Sequence, residues 1–173
     1  MDKFLDFSGG GFYFTSKNHE NLIQKPKPTA DEAFPSGNSL AAKIFIKLGF
    51  LMNETKYIDA ADSVFSYAAK QINDSPNAHS SLLDSFLLAK KPITIIILKT
   101  NNPSNEINVW IDHIININKP YISYYYINNN NTGFKNIDDK IPLDNITAYV
   151  CTGFTCEKPI SDFIEFSNRI DLL

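Results

Sequence analysis

Cysteine is scarce in this chain: two residues among 173. That is too few for a disulfide scaffold of the kind small secreted domains use. Basic charge is also short, with 16 Lys and Arg against 19 Asp and Glu and a net charge of −3. No positive field is available to hold a polyanion, so nucleic acid is not an expected partner. No apolar run reaches the ~18 residues that a membrane span needs, so no membrane partner is expected either. The opening Met1-Asp2-Lys3-Phe4-Leu5-Asp6 lacks the apolar core of a secretory signal, which predicts a cytoplasmic protein. Neither phosphate-cradling glycine pattern occurs, nor the G-x-S-x-G nucleophile or the H-E-x-x-H metal motif. No cofactor and no metal is expected from these absences.

Apolar residues make up 43% of the chain and charged residues 20%, a balance that predicts a folded protein. The length suits one domain, or two small parts sharing a core. Asn is very frequent and culminates in Asn128-Asn129-Asn130-Asn131, which reads as a compositional background. The Asn-x-Ser/Thr patterns at Asn53, Asn73, Asn130 and Asn145 carry no meaning without a secretory signal.

The hydrophobic pattern divides the chain near residue 91. Residues 1–90 start with a Gly- and Pro-punctuated stretch. Gly9-Gly10-Gly11 permits tight turns before the aromatic run Phe12-Tyr13-Phe14-Thr15, and Pro26, Pro28 and Pro35 exclude a long helix through residues 24–35. Three helices are predicted next, at about 36–52, 56–72 and 78–90. The first is capped by Ser36-Gly37-Asn38-Ser39 and carries Leu40, Ile44, Leu48 and Leu51 at helical spacing. Short links between them imply antiparallel neighbours. Residues 91–173 read as a small α/β unit. Ile93-Thr94-Ile95-Ile96-Ile97-Leu98 is continuous and β-branched, the pattern of a strand buried on both faces. An amphipathic helix over 105–117 and a strand over 121–127 follow, so a parallel pair is expected. A polar loop over 128–142, a third strand over 146–151 and a closing helix over about 160–170 complete the chain.

Three segments carry a resemblance when taken together and in order. They are Gly9-Gly10-Gly11-Phe12-Tyr13-Phe14-Thr15, Lys25-Pro26-Lys27 leading to Asp31-Glu32-Ala33-Phe34-Pro35-Ser36-Gly37-Asn38-Ser39, and Tyr149-Val150-Cys151-Thr152-Gly153-Phe154-Thr155-Cys156-Glu157-Lys158-Pro159. In this order the chain resembles the carboxy-terminal part of the spermatogenesis-associated, thioredoxin-domain-containing protein family of bacteria and animals. The resemblance implies an (α/α)₆ toroid similar to those of N-acylglucosamine 2-epimerases and six-hairpin glycosidases. It also implies a fragment or stripped-down relative, since the thioredoxin-like domain and the first helical hairpins have no counterpart. Lys25, Pro28 and Glu32 stand where the family usually has Arg, Glu and Gly, which alters the polarity of any pocket they line.

The fold expected is therefore α+β: antiparallel helical hairpins from a truncated toroid, packed on a small three-stranded α/β unit. Candidate ligand-binding residues are Asp31, Ser36 and Asn38, with Lys27 beside them. A carboxylate, a hydroxyl and an amide at a helix start suit sugar hydroxyls or an anion; a helix cap after a rigid turn is the more ordinary use of the same groups. Asp31 and Glu32 are adjacent, so they cannot flank one glycosidic bond from opposite sides. The epimerases of this fold use histidines as acid and base. His19, His79 and His113 sit in no such motif; His79 and His113 read as surface or interface residues. No catalytic residue is assigned. Cys151 and Cys156 are spaced C-x₄-C, unlike the C-x-x-C of helix-start redox pairs, and two ligands alone do not close a zinc site. A packed reduced pair, a regulatory or structural loop disulfide, and metal ligation all remain open; a thiol redox role through Cys151 and Cys156 is a further alternative for the function. The expected function is a non-catalytic remnant, with a carbohydrate-active or sugar-binding protein as the alternative. A truncated toroid would leave helical faces uncovered, for which a homodimer is the simplest cover.

Overall fold

The computed structural model describes residues 2–20, 23–91, 93–102, 104–128 and 132–173. Pro92, Pro103 and Asn129–Asn131, which hold most of the asparagine tract and the pattern at Asn130, lie outside the described residues. The chain divides into two compact units, Met1–Gly49 with Glu54–Lys91, and Phe50–Asn53 with Pro92–Leu173.

The first unit opens with a tight reversal. Leu5 bridges Phe12 in antiparallel fashion, the Asp6 N–H donates to Gly11 O and the Gly10 N–H donates to Asp6 O. Gly10 and Gly11 both hold positive φ, +71° and +73°, which a side chain would resist. Three helices follow: α1 (Gly37–Met52), α2 (Thr55–Asp74) and α3 (Ser80–Lys90), with a 3₁₀ turn over Pro76–His79 leading into the last. Ser36 caps α1, its Oγ accepting from the Ser39 N–H at 3.1 Å. The far end of α1 closes on Asn53 at φ 57°, with the Glu54 N–H donating to Gly49 O. Asn53 serves here as the left-handed residue of a Schellman-type stop. Helix α2 buries Ala60, Ala61, Val64, Phe65 and Ala68. The side of α3 that bears Ser85 lies against α1, since Ser85 Oγ donates to Ser39 O.

The second unit is a four-stranded mixed sheet with helices. Its elements are β1 (Thr94–Lys99), α4 (Glu106–Ile117), β2 (Ile122–Ile127), a single turn α5 (Lys135–Asp138), β3 (Thr147–Thr152), β4 (Thr155–Cys156) and α6 (Phe163–Asp171). The strand order is β2-β1-β3-β4. Strands β1 and β2 run parallel with Thr94 opposite Ile122, as a strand–helix–strand unit requires. Strand β3 runs antiparallel to β1, and β4 antiparallel to β3. Ile96 and Leu98 of β1, with Ala148 and Val150 of β3, form one face, which packs on Ile107, Trp110 and Ile114 of α4 and Phe166 and Ile170 of α6. Ile95 and Ile97 are buried as well, which explains the unbroken apolar run.

The architecture is thus α+β. It differs from the sequence reading, which expects three strands, in having a fourth over Thr155–Cys156, and in a short helix inside the 128–142 loop. His79, read as a surface or interface residue, is buried: its Nδ1 lies 2.8 Å from Ser75 O and its Nε2 3.1 Å from Thr29 Oγ1. A carbonyl can only accept, so Nδ1 carries a proton and donates to Ser75 O.

Candidate functional site

The four residues singled out for ligand binding all lie in the first unit, on the loop over residues 26–36 and the start of α1. Asn38 is 2% exposed. Its Oδ1 accepts from the Phe12 N–H at 2.7 Å, and its Nδ2 donates to Phe12 O at 3.0 Å and Pro28 O at 2.9 Å. One amide therefore ties the aromatic run to the proline loop and to the first turn of α1. Asp31 does comparable work with a carboxylate: Oδ1 accepts from the Ser36 N–H at 3.0 Å and Oδ2 from the Ser81 N–H at 2.8 Å. It joins the starts of two helices, α1 and α3, and offers negative charge to both N-termini. Burial pushes its carboxyl up, but these backbone N–H groups outweigh that and hold it below the usual value. The Ser36 hydroxyl is 2.6 Å from that of Ser39.

Lys27 is paired with Asp6 at 2.7 Å, with both side chains 11% exposed. Its ammonium also donates to Gly10 O at 2.8 Å and sits 3.9 Å from the centroid of the Tyr67 ring. Lys27 leads the groups that hold the Asp6 carboxyl far below its ordinary value, helped by the Gly9 N–H and the Ser8 hydroxyl. The Tyr13 hydroxyl donates to the same carboxylate at 3.0 Å, which raises the Tyr13 pKa. Asp6 escaped the sequence reading, where only the glycines behind it stood out.

Beside Asn38 lies a groove of about 440 Å³ lined mostly by rings, among them Phe4, Phe12, Tyr13, Phe14 and Phe45. Phe12 and Phe45 stack at 5.2 Å between centroids, while Phe14 stands 73% exposed. Three of these rings are consecutive, Phe12 to Phe14, but Phe4 lies 8 residues before them and Phe45 31 residues after, so the aromatic run alone does not announce the groove.

In the second unit Cys151 and Cys156 are joined by a disulfide. They are register partners of β3 and β4, with Cα atoms 3.8 Å apart. The Val150 carbonyl accepts from the Glu157 N–H one position out, so the cysteines occupy a close, non-hydrogen-bonded pair. Gly153 at φ +60° opens the two-residue turn that returns the chain. Positive φ at the first central residue and not the second is the II′ pattern suited to strand twist.

Two lysines of this unit are buried, Lys99 at the end of β1 and Lys140 after α5. Burial lowers the pKa of both. Lys140 donates to Asn136 O at 2.8 Å and Asn136 Oδ1 at 3.0 Å. Among the described residues no group of three or more His, Cys, Asp and Glu could hold a metal ion. None of the described helices is long and apolar enough to cross a membrane. No protein-family model matches the sequence, and no curated protein matches it.

Proposed function

We propose that this chain is a non-catalytic remnant of a thioredoxin-plus-toroid protein, acting through interaction with a second copy of itself. In this reading α1 to α3 descend from the hairpins of an (α/α)₆ toroid, on the strength of the three ordered segments around Gly9–Thr15, Lys25–Ser39 and Tyr149–Pro159. The observation that carries it is the internal commitment of the candidate site. Asp31 and Asn38 use their side-chain oxygens and nitrogen on backbone groups, and Lys27 on Asp6 and Gly10 O. Such residues position chain segments and leave little for chemistry on a ligand. The surface supports a partner: α1 is apolar almost all round, which is the composition of a buried helix, yet Leu40 and Ile44 are 47% and 54% exposed. Leu87 of α3, 58% exposed, flanks the Lys43–Asp84 ion pair that bridges the two helices. Leu40 shares a surface with Lys43 and Asp84, and a two-fold contact would set that surface against its own copy.

A second reading, sugar binding, is favoured by the ring-lined groove beside Asn38, since flat apolar faces with a nearby amide suit a sugar ring. One set of measurements addresses both. Sedimentation equilibrium should give a dimer that Leu40→Glu with Ile44→Glu converts to a folded monomer. A wild-type monomer at high micromolar concentration would end the dimer proposal. A rise in Tm with N-acetylglucosamine or its short oligomers, absent from Phe14→Ala, would move the assignment to sugar binding.

A further inference from the structure

We propose that the Cys151–Cys156 disulfide is a thiol–disulfide exchange site whose substrate is an external dithiol, and that its reduction frees the outer strand β4 from the edge of β3. The proposal goes beyond the interaction reading and does not depend on it.

The two sulfurs belong to unequal surroundings. Cys151 lies in β3, 5% exposed and opposite Ile95 of β1. Cys156 lies in β4, where both residues are exposed. Solvent therefore approaches on the Cys156 side. A thiolate of the dithiol attacks Cys156 Sγ, the Cys151–Cys156 bond breaks, and Cys151 departs as a thiolate that takes a proton from water. The second thiol of the reagent then attacks its own sulfur in the mixed disulfide and releases Cys156 as the other thiol. Two electrons pass from the dithiol to the protein, the reagent ends as a disulfide, and both cysteines end protonated. A monothiol stops earlier. Its mixed disulfide on Cys156 faces Cys151 across the strand pair, and this intramolecular thiol attacks back at high effective concentration.

The structural consequence follows from how little else holds β4. The β3–β4 ladder has two residue pairs, Cys151 with Cys156 and Thr152 with Thr155. A ladder that short does not stand by itself. What remains is the Glu157 N–H on Val150 O, the Gly153 N–H on Ile93 O at the turn, the contact of Phe154 with Phe50 at 4.9 Å, and a bidentate, part-exposed ion pair of Glu157 with Arg169. Water still reaches both partners of that pair and screens it. Reduction should therefore unpair residues 154–157 and leave the outer edge of β3 open over Val150–Thr152, while Gly153 stays on Ile93 O and Ile160 still bridges Ala148 further along. An open edge is a template for a further strand.

Intact-mass measurement after trapping thiols with iodoacetamide during lysis should find the pair unalkylated. Under native conditions dithiothreitol should reduce it, and reduced glutathione at equal thiol concentration should not. Hydrogen exchange at the Glu157 amide should then accelerate severalfold, with the far-UV spectrum unchanged. Cys151→Ser with Cys156→Ser should reproduce the fast exchange; if that variant does not fold, reduced wild-type protein supplies the readout alone. Two alkylated thiols at lysis, reduction only in denaturant, equal reduction by glutathione, or unchanged exchange would each overturn the proposal.

Discussion

Asn38 shows how a residue with the chemistry of a ligand can be spent on architecture. Its three hydrogen bonds reach segments ten and twenty-six residues away; the two to Phe12 are buried and the one to Pro28 is part-buried. Asn38→Ala would leave the Phe12 N–H and two carbonyls unsatisfied. Each orphaned buried group costs about 1–3 kcal/mol, and relaxation recovers part, so a loss of about 2–4 kcal/mol is expected. Urea denaturation of the variant measures this directly. A loss under ~0.5 kcal/mol, combined with loss of a ligand-induced Tm rise, would return Asn38 to a binding role. From sequence alone Asn38 and Asp31 read as binding groups or, more ordinarily, as caps, because the two uses call for the same oxygens at a helix start. What decides between them is the backbone brought opposite, Phe12 and Pro28 for one and Ser81 for the other, and that is set by tertiary structure.

Elements were legible in proportion to their length. The 93–98 run announces β1 because a strand covered on both faces is apolar nearly throughout, Thr94 being the one polar residue of the run, and all six residues of β1 are buried. Helices α1, α2 and α4 declare themselves through three or more turns of apolar spacing. The four-residue α5 and the two-residue β4 present no period at all. One depends on Lys140 closing on Asn136, the other on a cysteine pairing whose spacing left three outcomes open. The glycine run is intermediate: it advertises a turn without saying against what. At Gly10 the neighbour is α2, where an added Cβ would fall 2.5 Å from Ser63 O while φ stays at +71°. Backbone atoms cannot swing aside as a side chain can. Gly10→Ala should therefore cost about 1–3 kcal/mol from left-handed strain and crowding together. Gly133→Ala has the same sign of φ, +80°, but open space around it, and serves as the control that isolates the strain alone. Equal losses in the two variants, compared by thermal unfolding, would show that the α2 contact contributes nothing.

For the whole molecule, charge placement sets how stability varies with pH. Four carboxyls in the two units titrate below their ordinary range: Asp6 beside Lys27, Asp31 on the Ser81 and Ser36 amides, Asp138 on the Thr132 amide and hydroxyl, and Glu157 beside Arg169. A carboxyl depressed by folding adds stability that is fully present above its unfolded pKa and lost as pH falls toward the folded one. Below the ordinary aspartate value of 3.8, then, Tm should fall steeply. Lys47, Lys99 and Lys140 are lowered by burial and act in the opposite range. The unfolded chain keeps those protons longer, so stability should climb gently as pH approaches the ordinary lysine value of 10.5. Tyr13, held by Asp6, and Tyr125 and Tyr149, held by burial, are raised above 10.0 and reverse that trend. There the unfolded chain loses protons first, and Tm should drop. Asp6→Asn with Asp31→Asn removes two of the four acid-side contributions, so the double variant should have a lower Tm at pH 7 and a shallower decline below 4. A wild-type Tm that stays level between pH 5 and pH 2.5 would show that these carboxylates keep no native partners in solution, and the network joining Asp6, Lys27 and the glycine turn would fall with it.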